Sequence, residues 1–188
     1  MAEIFPRWMN RLPGYLVTAS SAGAALAVFV AGYAFSPAYT DVGYMPRQPI
    51  PFSHRLHAGE LSMDCRYCHA SVEISPSASL PPSRTCMNCH SLVSRDRAVL
   101  APLRESVETG EPTRWIRVHR LPDYAYFDHS VHVAARLDCS DCHGNVAAME
   151  EVRQVEPLSM RWCLDCHRDP PETAAVRSGP TDCTACHR

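Results

Sequence analysis

Ten cysteines form five Cys-x-x-Cys pairs, and a histidine follows each pair directly. Numbered in chain order, these motifs are Cys65/Cys68/His69, Cys86/Cys89/His90, Cys139/Cys142/His143, Cys163/Cys166/His167 and Cys183/Cys186/His187. This spacing is the attachment signature of c-type haem, in which the two thiols bond the haem vinyl groups and the histidine ligates the iron. We therefore predict five covalently bound c-type haems. The ten cysteines are the predicted attachment points, and the five histidines are the predicted proximal ligands.

Other uses of paired cysteines fit this pattern less well. A zinc ribbon has paired Cys-x-x-Cys motifs but does not need a histidine as the next residue. A thioredoxin-like site would need one pair, not five. Two cysteines three residues apart also pair poorly as a structural disulfide. The histidine after every pair therefore favours haem over zinc, thiol redox chemistry or a disulfide framework.

The composition favours a fold built around cofactors. The chain has 188 residues, 16 prolines, 8% aromatic residues and a formal net charge of −2. This charge indicates no nucleic-acid partner. Outside the N-terminal segment long apolar runs are few, so haems would supply much of the apolar core. We predict a multihaem cytochrome c of mostly short α-helices and loops wrapped around five haems, with little β-structure.

The N-terminal segment, residues 15–35, is apolar, and no charged residue occurs between Arg11 and Asp41. Its length suffices for a helix that crosses the hydrocarbon core of a membrane. A cleaved signal peptide is the alternative, but its apolar core is usually shorter. We predict an uncleaved signal-anchor, with residues 1–14 in the cytoplasm and residues 36–51 as a linker. Because c-type haem is attached outside the bacterial cytoplasmic membrane, the haem domain should be periplasmic.

The chain contains an internal repeat. Phe52-x-His54-x-x-His57 precedes motifs one and two, and Phe127-x-His129-x-x-His132 precedes motifs three and four. Such self-similarity indicates duplication of a two-haem unit. We predict a dihaem module over residues 52–90, an insert over 91–126, and a trihaem module over 127–188 that includes the fifth motif.

Five histidines lie outside the haem motifs: His54, His57, His119, His129 and His132. Their number equals the number of predicted distal positions, and imidazole suits haem iron. The repeat assigns His54 to haem one and His129 to haem three, while the order of the other three stays open. Met160, three residues before Cys163, is an alternative distal ligand. Six-coordinate iron has no open position for a substrate, so we predict electron transfer and no catalytic residue.

All 18 basic residues are arginines. Five of them lie within or close to the haem motifs and are candidates for contacts to haem propionates: Arg55, Arg66, Arg136, Arg161 and Arg168. A guanidinium group binds a carboxylate with two parallel hydrogen bonds. Ordinary surface charge is the alternative interpretation of these arginines.

The complete pattern resembles a known family. The Phe-x-His-x-x-His units are similar to class III multihaem cytochromes c. The N-terminal anchor, the five motifs, the insert RWIRVHRLPDYAYFDHSVH and the segment PLSMRWCLDCHRDP together resemble the pentahaem cytochrome c subunit of bacterial alternative complex III. The resemblance covers nearly the entire chain, although the tail after motif five is very short.

The resemblance implies a role in a respiratory chain. In that family a polytopic membrane subunit oxidises quinol and a large peripheral subunit carries iron–sulfur clusters. The pentahaem subunit passes electrons toward a monohaem cytochrome c or a soluble carrier. By this resemblance the chain is an electron-transfer subunit, not an enzyme by itself, and those subunits are its partners. The alternative is a self-contained, membrane-anchored multihaem quinol dehydrogenase that feeds a periplasmic reductase, which would need a five-coordinate or weakly ligated haem.

Overall fold

The computed structural model describes residues 6–187. The chain divides into two compact units, Met1–Thr40 and Asp41–Arg188. The division lies within the segment predicted to be a linker. The second unit contains all five haem motifs, so it is the part of the chain that carries the predicted chemistry.

The first unit consists of a 3₁₀-helix, Arg7–Arg11, followed by α1, Leu12–Ala34, and α2, Pro37–Thr40. Pro13 lies in the first turn of α1, where its missing N–H would have no helical partner in any case. The helical segment Trp8–Ala34 is long and apolar enough to cross a membrane, and none of its most apolar window is buried. An apolar helix that is exposed on all sides is typical of a membrane span. The prediction of one N-terminal apolar helix is confirmed, and the helix is a candidate membrane span.

The second unit consists of short helices joined by loops, with no strand among residues 6–187. The helices are a π-helix, Arg55–Glu60; α3, Cys65–Cys68; α4, Ser83–His90; a 3₁₀-helix, Ala98–Leu100; α5, Ala101–Thr109; α6, His129–Ala134; α7, Cys139–His143; a 3₁₀-helix, Val146–Ala148; α8, Met160–Arg168; and α9, Cys183–Cys186. All five Cys-x-x-Cys pairs lie on α-helices. The predicted helical fold is therefore confirmed.

Side-chain caps explain why such short helices begin at the motifs. Asp64, Asp138 and Asp182 each directly precede the first cysteine of a motif. Their carboxylates accept hydrogen bonds from the backbone N–H groups of Arg66, Ser140 and Ala185. Ser159 caps α8 in the same way. These bonds satisfy N–H groups that have no partner within the helix, so each turn is fixed locally.

Few side chains in the described part of the chain form a core. Only Ile50, Leu103, Met149 and Gln154 are buried. A domain of this size normally encloses far more apolar surface. This pattern agrees with the expectation that the missing apolar core is supplied by cofactors.

The insert contains one regular helix and one irregular segment. α5 has Pro102 in its first turn and ends at Gly110, whose φ of +78° is the left-handed conformation that glycine adopts readily. The following segment, residues 115–121, forms no strand. The side chain of Gln48 instead pairs with the backbone of Ile116, since its Nε2 donates to the carbonyl and its Oε1 accepts from the N–H, both at 2.9 Å.

Candidate haem sites

The ten motif cysteines are either exposed or half-buried. The two cysteines of a pair lie three residues apart on a helix, so their side chains lie on the same side of it. Burial is the main cause that raises the pKa of the Cys142 thiol to about 11. This thiol is therefore protonated at neutral pH. Thioether formation at the ten cysteines stays a prediction.

Motif two presents its cysteines differently from the other four motifs. Its second cysteine, Cys89, is an exposed free thiol, whereas the second cysteines of the other motifs are half-buried. The first cysteine, Cys86, is half-buried instead. The chain turns directly after Cys89, whose carbonyl accepts from the N–H groups of Leu92 and Val93 at 3.0 and 2.8 Å. The shared spacing therefore does not give all motifs the same surroundings, and the predicted bond from haem two to Cys89 lies at the surface.

Seven predicted ligands share one hydrogen-bond pattern, in which ring Nδ1 lies 2.5–3.0 Å from a backbone carbonyl oxygen. They are His57, His69, His90, His129, His132, His167 and His187. A carbonyl only accepts, so Nδ1 carries the proton and the lone pair of Nε2 is free. This hydrogen bond at Nδ1 is typical of metal-binding histidines, whose tautomer and orientation it fixes. The residues present therefore fit haem iron as the group to be bound.

Three pairs of histidine rings have the separation that one iron requires. Ring centroids lie 6.1 Å apart for His57 and His90, 6.3 Å for His129 and His143, and 6.0 Å for His132 and His167. Two imidazoles on opposite sides of one metal have centroids roughly 6 Å apart, since each metal–nitrogen bond is about 2 Å long. The planes of the His129 and His143 rings differ by only 4°. The geometry favours His57, His129 and His132 as the distal ligands of haems two, three and four.

His54 is the remaining histidine of the first module. Burial, followed by the nearby His69 and His57 rings, lowers its pKa to about 4, so its imidazole is neutral. Its Nδ1 is buried without a hydrogen-bond partner among the described residues, which is costly in a dry environment. Its proximity to His69 agrees with the prediction that His54 is the distal ligand of haem one.

A phenylalanine packs against both predicted distal histidines in each predicted module. The Phe52 ring lies 4.4 Å from that of His57 and 4.8 Å from that of His54. Phe127 repeats this arrangement at 4.3 Å from His132 and 4.8 Å from His129. Sequence reasoning recorded these phenylalanines only as part of the repeat and missed this packing role, although their fixed position two residues before a histidine was the signal.

Comparisons with known proteins agree with this geometry. Residues 125–188 match the family model of cytochrome c7 and related cytochromes c. This part of the chain is therefore a multihaem cytochrome c domain. The "Menaquinone reductase, multiheme cytochrome c subunit" of Nitratidesulfovibrio vulgaris is 26% identical over 162 residues, which cover 75% of this chain and 77% of the relative. Neither match is specific for alternative complex III. The cytochrome thus binds c-type haem and takes part in electron transport.

Two loops hold predicted ligand histidines close to a neighbouring predicted haem site. The loop 76–79 supplies the carbonyl of Ser79 to His69 and the carbonyl of Pro76 to His129, both at 2.7 Å. At the other end, the carbonyl of Pro180, three residues before Cys183, accepts from Nδ1 of His167 at 2.5 Å. Motif one is therefore joined to the third site, and motif four is joined to motif five.

Thiols of different motifs also lie close together. Burial raises the pKa of four thiols, and a nearby thiol of another motif raises it further. These are Cys86 beside Cys68, Cys139 beside Cys65, Cys142 beside Cys166, and Cys163 beside Cys186. Motif one is thus a close neighbour of motifs two and three, and motif four is a close neighbour of motifs three and five.

Four of the five arginines predicted to contact propionates form ion pairs within the protein. Arg55 pairs with Glu60 at 2.9 Å and with Glu150. The other pairs are Arg66 with Glu73 and Asp64, and both Arg161 and Arg168 with Asp165. Arg136 follows α6 with a positive φ of 60°. The alternative methionine ligand, Met160, is 67% exposed. Propionate contacts by these arginines stay a prediction.

His119 lies beside His143 at the third site. Its Nε2 is 3.2 Å from Nδ1 of His143, and the two ring centroids are 4.3 Å apart with the planes at 86°. His187 of motif five has a ring contact with Tyr124 at 5.9 Å, and no histidine ring contact of His187 occurs within residues 6–187. Burial and the two neighbouring histidines His119 and His129 lower the pKa of His143 to about 4, which keeps it neutral.

We expect Gly179→Ala to disturb haem four selectively. An added Cβ would lie 2.8 Å from Cγ and 3.0 Å from Cδ2 of His167. The ring or the loop must then move, and overpacking of this kind costs about 1–3 kcal/mol. We expect partial high-spin character at one haem in the electron paramagnetic resonance spectrum and a lower melting temperature. Gly32→Ala is the control, because a Cβ added at Gly32 would have no other heavy atom within 4 Å. An unchanged spectrum in Gly179→Ala would contradict the ligation of haem four by His167.

Proposed function

We propose that this cytochrome is the electron-transfer subunit of a quinol-oxidising membrane complex and passes electrons through five haems toward a periplasmic cytochrome or other carrier. The observation that carries this proposal is the set of histidine pairs 6.0–6.3 Å apart, whose Nδ1 atoms are mostly bound to carbonyls. Such pairs would hold a haem iron through two imidazoles when haem is bound. A haem ligated in this way exchanges electrons but has no position for a substrate, which supports transfer over catalysis.

We further propose that the haems follow one another in the order two, one, three, four, five. His54 and His57 are three residues apart, which supports adjacent haems one and two, and His129 and His132 on α6 support adjacent haems three and four in the same way. The loop 76–79 connects sites one and three. The Pro180 carbonyl connects sites four and five. The ends of the chain of haems are then haem two and haem five.

The proposed partners come from the resemblance to alternative complex III and from the relative. They are an iron–sulfur subunit, polytopic quinol-binding subunits and a monohaem cytochrome c. The relative is named as a subunit of a menaquinone reductase, which supports a quinone-linked membrane complex. The proposed location is the bacterial cytoplasmic membrane, with α1 as a single-pass anchor and the haem domain on the periplasmic side.

The relative's name also favours a second candidate function, in which electrons flow in the opposite direction. A menaquinone reductase delivers electrons to the quinone. A cytochrome in such a complex would receive electrons from a periplasmic donor and pass them toward the membrane. The same histidine pairs would serve transfer in either direction, so the direction must be measured.

The experiment is to purify the cytochrome from membranes both within its complex and alone. We expect five haems per chain by pyridine haemochrome assay and peptide mass, and rapid haem reduction by quinol only in the complex. Quinol oxidation by the isolated chain would instead indicate the self-contained quinol dehydrogenase. Quinone reduction by a reduced periplasmic carrier, without the reverse reaction, would support the second candidate function. Fewer than five haems per chain would contradict the proposed chain of haems.

A further inference from the structure

The contact between His119 and His143 differs from every other histidine contact at the haem sites. Seven histidines donate Nδ1–H to a backbone carbonyl, whereas Nδ1 of His143 faces Nε2 of His119 at 3.2 Å. His143 is also 6.3 Å from His129, with the rings nearly parallel. If Nε2 of His143 faces the iron that it shares with His129, its Nδ1 points away from the iron. His119 therefore lies on the far side of His143 from that iron.

His119 is not placed to be the distal ligand of haem three or of haem five. Its ring centroid is 4.3 Å from that of His143, too close for a haem iron between them, because two rings on opposite sides of one metal need roughly 6 Å. His129 already has the required separation at this site. At the fifth site the ring beside His187 is that of Tyr124, at 5.9 Å. With His54, His57, His129 and His132 assigned to haems one to four, and His119 beside His143, none of the ten histidines in residues 1–188 is left for haem five.

We propose that His119 is a positioning residue that accepts the Nδ1–H of His143, and that the sixth ligand of haem five is not a histidine. This inference rests on the proposed loading with five haems. Nε2 of His119 takes the place of the carbonyl oxygen that accepts the Nδ1–H at the other sites. A hydrogen bond at Nδ1 makes an imidazole a stronger donor to its metal and fixes the ring orientation. A stronger donor stabilises the oxidised iron, so His119 lowers the reduction potential of haem three.

The test compares the cytochrome in its complex with the variants His119→Ala and His119→Gln. Electron paramagnetic resonance and magnetic circular dichroism count the haems with two histidine ligands, and a redox titration follows each potential. We expect four such haems in the unmodified protein and four in both variants. In His119→Ala one potential should shift upward. His119→Gln, whose side-chain oxygen can accept the same proton, should keep it nearer to the original value.

Two results would overturn the inference. One is a count of five bis-histidine haems in the unmodified protein, and the other is the loss of one such haem in His119→Ala or His119→Gln. Because glutamine keeps both the size and the acceptor, His119→Gln answers the question if the alanine variant does not fold. A separate haem assay distinguishes the two hypotheses. Fewer than five haems in the unmodified protein contradicts the proposed function, whereas five haems with the wrong ligand count contradicts only this inference.

Discussion

Replacing His57 by alanine is expected to convert one haem, haem two, from six-coordinate low-spin to five-coordinate high-spin. His57 lies 6.1 Å from His90, the proximal histidine of motif two, and its Nδ1 is held at 2.8 Å by the carbonyl of Ser53. Loss of this imidazole leaves no ligand on that side of the iron. Imidazole added to the variant should restore the low-spin state, because it enters the cavity that the deleted ring leaves.

The measurement is the high-spin signal in electron paramagnetic resonance, integrated against total haem. Leu56→Ala, a change in the same π-helical turn at a half-exposed side chain, is the matched control and should keep all ligands. A high-spin signal accompanied by changed properties of haem one would contradict the assignment, because it would place His57 opposite His69. No high-spin signal at all would show that His57 is not an iron ligand.

Removing haem three is expected to stop electron transfer between the two ends of the cytochrome, whereas removing haem five should not affect transfer among haems one to four. The first variant combines Cys139→Ala with Cys142→Ala, and the second combines Cys183→Ala with Cys186→Ala. Haem three lies between haems one and four in the proposed order, and the rate of electron transfer falls steeply with distance. Loss of the middle haem therefore leaves a gap that electrons cross very slowly.

Both variants should lose one haem per chain, so each is the other's control for the cost of a missing cofactor. The measurement is the reduction of individual haems after rapid electron injection into the purified complex, with the variants compared at equal haem content. Full transfer across the cytochrome without haem three would contradict the proposed order. If only the loss of haem five stopped electron transfer, haem five would lie inside the chain of haems and not at its end.

Local features of the structure followed from local sequence. The carboxylates of Asp64, Asp138 and Asp182 start their helices because the cap and the N–H group that it binds are two or three residues apart. Gly110 ends α5 because its own φ is positive. One helical turn is enough to bring the two cysteines of a pair to the same side of a helix. Each of these depends on contacts within a few residues, which the order of the amino acids already contains.

The haem to which each distal histidine is assigned depends on the fold. The repeat assigned His54 and His129 to haems one and three, but it left His57, His119 and His132 open. His57 lies 33 residues before its neighbour His90, and His132 lies 35 residues before His167. Only the folded chain brings these rings to 6.1 Å and 6.0 Å. Counting histidines also treated His119 as a ligand like the others, because a count contains no distances.

The solvent exposure of each cysteine could likewise not be predicted from the motif alone. Cys89 and Cys68 occupy the same place in their motifs, yet the first is exposed and the second is half-buried. Burial depends on which segments pack over a helix, and those segments lie elsewhere in the chain. The spacing of a motif therefore predicts its chemistry but not its surroundings.

The c-type haem and the helical character could both be predicted from local sequence, since thioether attachment and helix caps need only residues that are close in the chain. The tertiary structure decided which histidines face each other and which loops join the sites. It also placed the ring of Phe52 against both His54 and His57. The physical reason is that an iron takes its two axial ligands from opposite sides, so the second ligand must come from a distant segment that folding brings near.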